Sequence, residues 1–208
     1  MENQVNIVLK DILRAVEAER YRDALDLFVS IFQHPTLRIP EHLTDDISQL
    51  LLLVLSKMTI LERAVFAKAV SRSKSLPPQV VRKLLKETVT VSSQLILMAP
   101  FTDDELIEII EQGDLTNRLT ITQRPSLTMP VTDHLVDFGE LPVLVGLARN
   151  TGAQLSPKSF DVMADAAVAD ADLDKALSQR EDLPIEIATR LQERANRDRN
   201  EQRVLPER

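Results

Sequence analysis

Apolar residues along this chain recur at helical spacing, in short segments set apart by polar turns. Val80, Val81, Leu84 and Leu85 share one helix face, as do Leu106, Ile109 and Ile110, and Ile187 with Leu191. Ala24, Leu25, Phe28 and Ile31 line one side of YRDALDLFVSIF. No segment alternates apolar and polar positions with β-branched residues, as a half-buried strand would. Helix starts are marked as well. Thr59 with Glu62, and Thr102 with Glu105, fit the capping box, in which the hydroxyl takes an orphan N–H and the carboxylate reaches back. Pro40, Pro77, Pro130, Pro157 and Pro184 stand at or near first helical turns, where a missing N–H does no harm. The pattern predicts an all-α fold.

The turns repeat. FQHPTLRIPEHL from Phe32, SRSKSLPPQVVRKL from Ser71 and TQRPSLTMPVTDHL from Thr122 align with one another. Looser copies are LMAPFTDDELIEII, LARNTGAQLSPKSF and LSQREDLPIEIATRL. Each ends one apolar segment, turns through a polar residue and often a Pro, and opens another helix. The joins repeat too: Gly113-Asp114-Leu115 and Gly139-Glu140-Leu141 both place Gly, an acid and Leu. Both glycines are expected just past helix ends in the left-handed conformation, with the acids at the positive end of the next helix. One such helix pair cannot bury its apolar face alone, whereas stacked copies bury a continuous core. The expectation is an α-solenoid of short stacked helix pairs, one continuous domain overall. Residues 1–33 form its N-terminal capping hairpin, 34–195 the repeats, and 196–208 a charged tail or helix extension.

These residues resemble known families. An apolar pair followed by Gln-Arg-Pro or Arg-Asn-Thr, then Leu and a helix, is similar to the leucine-rich repeat variant and to HEAT-like repeats. From about Ile31 to Leu191 the chain resembles more closely an uncharacterised helical-repeat family of bacteria, a domain of unknown function. QRPSLTMPVTDHLVDFGE, ARNTGAQLS and LSQREDLPIEIATRLQER carry that likeness. The resemblance implies a right-handed stack of short helices. It brings no reaction, cofactor or catalytic residue with it. The copies also differ among themselves, since the unit around Ser56 to Phe66 lacks the Pro turn.

Composition narrows the function classes. The absence of Cys removes disulfides, thiolate metal sites and thiol nucleophiles. A net charge of −7, with 3% aromatics and no Trp, argues against nucleic acid as the partner. A base-excision enzyme would also need aromatics to hold an extruded base. The N-terminal MENQVNIVLKDILRAVEAER lacks the basic start and cleavage site of a signal peptide. The run Leu50 to Leu55 is far shorter than the roughly 20 residues of a membrane span. A cytoplasmic protein with no membrane partner is the expectation.

Three groups could carry chemistry. His34, His42 and His134 lack the close spacing of zinc ligands, and His34 stands where other copies have arginine. Asp45–Asp46 and Asp103–Asp104–Glu105 each follow a Thr and open a helix, which capping and the helix dipole explain; Glu108 and Glu111 continue a solvent face. Arg72, Arg124, Arg149 and Arg180 recur at the repeat turn. Each either bonds the last carbonyls of the helix it ends or joins a row of forks for a partner's carboxylates or phosphates. The loop Asn150-Thr151-Gly152-Ala153 reads as a longer turn. No phosphate loop or nucleophile elbow is present. The expected function is therefore a non-enzymatic interaction or scaffold module that binds a protein or peptide through the turn arginines, without cofactor or metal. The alternative is a signalling module sensing a small ligand or accepting a phosphoryl group on His134 or His42. A homodimer through an uncovered end of the stack is a further expectation.

Overall fold

The capping pattern read from sequence starts the helices where it should. Thr59 and Thr102 accept from the backbone N–H of Glu62 and Glu105, and both carboxylates bond back to the threonine N–H at 2.8 Å. The structure is a computed structural model describing residues 2–34 and 39–204. It is all-helical, with no named strand among the described residues. The chain divides into two compact units, Met1–Pro100 and Phe101–Arg208.

The first unit contains α1 (Glu2–Glu17), α2 (Tyr21–Gln33), a 3-10 turn (Glu41–Leu43), α3 (Thr44–Ser56), α4 (Ile60–Val70), α5 (Pro78–Leu85) and α6 (Val89–Met98). Helix α2 packs on α4 and α4 on α6, while α3 packs on α5; α1 packs on α2 as a hairpin. Phe28, Ile47, Leu51, Phe66, Leu84 and Leu95 fill the core between the two rows. Thr44 does not cap α3 as its position suggested. The 3-10 turn runs directly into the helix, so Thr44 already has helical angles and its hydroxyl donates to the Pro40 carbonyl.

The second unit contains α7 (Asp103–Gln112), α8 (Leu115–Thr122), α9 (Met129–Asp137), α10 (Leu141–Arg149), α11 (Pro157–Ala166), α12 (Ala171–Ser178) and α13 (Ile185–Val204). Its even helices touch in the order α8, α10, α12, and its odd helices in the order α7, α9, α11, α13. Gly146 lets α8 and α10 close up, since a Cβ there would stand 2.5 Å from the Thr122 hydroxyl. Residues 196–204, expected as tail or helix extension, continue α13. None of the helices among the described residues is long and apolar enough to cross a membrane.

The six aligned turns all fall between an even helix and the odd helix after it. In the first of them, residues 35–38 lie outside the described residues. At the joins, Gly139 takes the expected left-handed angle, φ +63°. Gly113 does not: its φ is −84°, and glycine is needed there because a Cβ would meet the Ile109 carbonyl at 2.5 Å. Asp114 then caps α8, accepting from the Asn117 N–H.

Candidate functional site

The four turn arginines have different surroundings. Arg72, after α4 in the first unit, is exposed. In the second unit Arg149 is exposed, 3.9 Å from Asp172, while Arg124 is half-buried and burial pulls its pKa down. Arg180 is buried. Its guanidinium does not serve the helix it follows. It donates to the carbonyls of Leu147, Asn150 and Ala153 at 3.1, 2.8 and 2.8 Å, closing the end of α10, and grips Asp182 with two bonds of 2.8 Å. Asn150 serves α8 in the same way, donating to the carbonyls of Thr122 and Arg124. The end of one even helix thus satisfies orphan carbonyls of the even helix before it.

A second set of arginines escaped sequence reasoning. Arg118 sends Nη1 back to the Gly113 and Ile110 carbonyls at 2.8 and 3.0 Å. It sends Nε and Nη2 forward to Glu140 at 2.6 and 2.7 Å, and its guanidinium lies 4.3 Å from the Phe138 ring centre. Arg63 repeats this in the first unit, with Nη1 on the Met58 carbonyl and Nε on Glu87, each just before the next even helix. Both are the fourth residue of an even helix, and that shared place in α4 and α8 is the one signal the sequence offered.

The Arg118 hydrogen bonds hold the Glu140 carboxyl below its ordinary pKa. A group whose folded pKa is depressed contributes stability above its unfolded pKa and loses it as pH falls through the folded value. Glu140→Gln is therefore expected to lower stability at neutral pH by about 1–3 kcal/mol. The gap from wild type should close on acidification below the ordinary carboxylate range, as thermal melts across pH would record. A gap unchanged down to strong acid would contradict it.

The histidines stand on different elements. His34 ends α2 and His42 sits in the 3-10 turn, both exposed. His134 on α9 has Nδ1 3.1 Å from the Pro130 carbonyl and Nε2 3.9 Å from Glu111. A carboxylate beside Nε2 is a like-charged neighbour for an incoming phosphoryl group. Among the described residues no group of three His, Asp or Glu could hold a metal ion. Asp133 accepts the hydroxyls of Ser156 and Ser159 at 2.6 and 2.5 Å, which ties α9 to the start of α11.

Across the odd helices of the second unit, Glu111 faces His134, Asp137 pairs with Lys158, and Asp161 and Asp165 face Arg190. Both rows also expose carbon: on the odd helices Met129, Val162 and Ile185 are 47%, 37% and 80% exposed. Leu115 on α8 and Leu141 on α10 are 39% and 40% exposed, with Leu119 and Val145 half-buried one turn on. The α10 stripe Leu141, Val145 and Arg149 ends on its exposed guanidinium. In the first unit α4 shows Leu61 and Val65 at 71% and 69%.

A family model described as "Uncharacterised protein conserved in bacteria (DUF2336)" matches residues 91–204, more than half of the 208. No curated protein and no solved structure matches the chain.

Proposed function

The chain belongs to that bacterial family, and we propose that it is a non-enzymatic protein-interaction module built as a HEAT-like α-solenoid. The observation that carries the reading is the stripe on α10, apolar at Leu141 and Val145 and ending on the exposed Arg149 guanidinium. Leu115 on α8, which packs on α10, is exposed as well, and Arg149 stays 63% exposed with Asp172 3.9 Å away. An apolar stripe ending in a guanidinium suits a peptide or protein segment with apolar anchors and a carboxylate. Of the turn arginines, Arg149 and Arg72 are the exposed members, whereas Arg180 is buried and holds the end of α10, on which Arg149 stands. Sequential packing of even on even and odd on odd helices supports the solenoid reading. It accounts for the recurrence of the six turns.

A photo-crosslinking residue placed at Leu141 tests the reading in a lysate of the encoding bacterium. One discrete adduct is expected from that position and none from the same probe at Asp161 on α11. Leu141→Asp combined with Arg149→Glu should weaken binding of the identified partner at least tenfold. Equal labelling from both faces, or no adduct from Leu141, would defeat it.

A further inference from the structure

The charges of this chain are unevenly distributed. Residues 63–86 hold seven Lys and Arg and no acid, and residues 87–117 hold seven Asp and Glu and no Lys or Arg. By unit, residues 1–100 carry thirteen cations against eleven acids, net +2, and residues 101–208 carry twelve against twenty-one, net −9. In the first block Arg63 is occupied by Glu87. The other six, Lys68, Arg72, Lys74, Arg82, Lys83 and Lys86, are exposed and have no side-chain partner among the described residues. On α5, Val80 and Leu84 face the core, while Gln79, Arg82, Lys83 and Lys86 form the solvent face. Cations in a last turn complement the helix dipole. That does not explain Arg72 and Lys74 in the turn before the helix, nor the exclusion of acids from the whole block.

The second block has its own face. Asp104, Glu108 and Glu111, at i, i+4 and i+7, are exposed on α7. Glu105 and Asp114 are used in capping; Glu108 accepts from Gln112 and Glu111 lies 3.9 Å from His134, yet both stay exposed, as does Asp104. The stripe from Asp104 to Glu111 covers seven residue steps, as does that from Gln79 to Lys86, about 10 Å each at helical rise.

We propose that the chain binds a second copy of itself, the basic face of α5 and its preceding turn in one copy seating on the acidic face of α7 in the other. Charge complementarity selects this occupant. A nucleic acid or anionic membrane reaching the basic face would meet a molecule whose other unit is net −9, and no aromatic side chain is exposed among the six cations to stack on bases. A second copy brings that same negative unit to the positive one. The contact goes beyond the interaction surface proposed on α8 and α10, using different helices, and stands or falls separately.

The mass of the full chain in solution, by sedimentation velocity, tests it. At about 0.01 M salt, where the Debye length is about 30 Å, species larger than a monomer are expected. At about 1 M salt, where that length is about 3 Å, association should weaken at least tenfold. Arg82→Glu, Lys83→Glu and Lys86→Glu together should abolish it, and so should Asp104→Asn with Glu108→Lys and Glu111→Lys. Mixing the two variants, each with an opposite surplus, should restore it. If a reversed variant fails to fold by circular dichroism, the Gln replacements of Arg82, Lys83 and Lys86 serve in its place and should weaken association. A wild type that stays monomeric at low salt would overturn the proposal. So would association untouched by either variant, or a monomer that binds anionic vesicles or an oligonucleotide through the basic face.

Discussion

Arg180→Met is expected to lower the unfolding free energy by about 3–5 kcal/mol, since it leaves three backbone carbonyls without their donor at about 1–3 kcal/mol for each unsatisfied group. The Arg180 side chain is 2% exposed, and its donors satisfy three carbonyls around the end of α10 besides Asp182. Methionine fills much of the volume and supplies no donor, so those carbonyls lose their partner where water has little access. Arg180→Lys should recover less than half of the loss, because one ammonium cannot match a planar fork spread over four acceptors. Asp182→Asn should be mild, since that carboxylate is half exposed and solvent screens its share. Urea unfolding followed by circular dichroism would show the order Met, then Lys, then Asn, largest loss first. A loss for Arg180→Met no larger than for Asp182→Asn would show that the carbonyl contacts contribute little.

Local chemistry was legible in the sequence, and chemistry between repeats was not. The boxes at Thr59 and Thr102 close within three residues, so their parts appear together in the chain. The turns showed because proline and polar residues mark them wherever an even helix ends. Arg180 was visible as a turn residue, but its acceptors lie about thirty residues upstream, on a helix that adjoins α12 only once the repeats pack. The same distance hid Arg118 and Glu140, and the reach of Asn150 to α8. Helix α8 shows a related limit. Thr120 and Thr122 are buried in LTNRLTIT, where sequence patterning expects carbon, because their hydroxyls bond back to Thr116 and Leu119 carbonyls within the helix. At the surface, the exposed Leu115 and Leu141 entered the sequence pattern only as members of the Gly-acid-Leu joins. Only the packing order shows which face of each helix is left over.

Gly152→Ala is the second change expected to have a large effect, on the order of 2–4 kcal/mol, because it breaks several contacts between neighbouring turns at once. A Cβ on Gly152 would stand 2.0 Å from the Pro125 carbonyl oxygen and 3.0 Å from its carbon. Those are backbone atoms, so no side chain can swing aside. The turn before α9 and the turn before α11 are stitched together at this point. The Leu127 N–H donates to the Gly152 carbonyl at 3.1 Å, the Gln154 N–H to the Leu127 carbonyl at 2.9 Å, and the Gly152 N–H to the Asn150 side chain at 2.9 Å. Opening the turns enough to admit a methyl group would lengthen these bonds and draw Asn150 away from the end of α8. Gly139→Ala provides the contrast. Nothing lies within 4 Å of its added Cβ, and only the left-handed angle opposes it, a penalty of about 1–2 kcal/mol. Thermal unfolding should therefore place Gly152→Ala well below Gly139→Ala, and amide exchange should accelerate at Leu127 and Gln154 in the former alone. Equal losses from the two substitutions would mean that the conformational preference of glycine, and not the stitch between repeats, governs this turn.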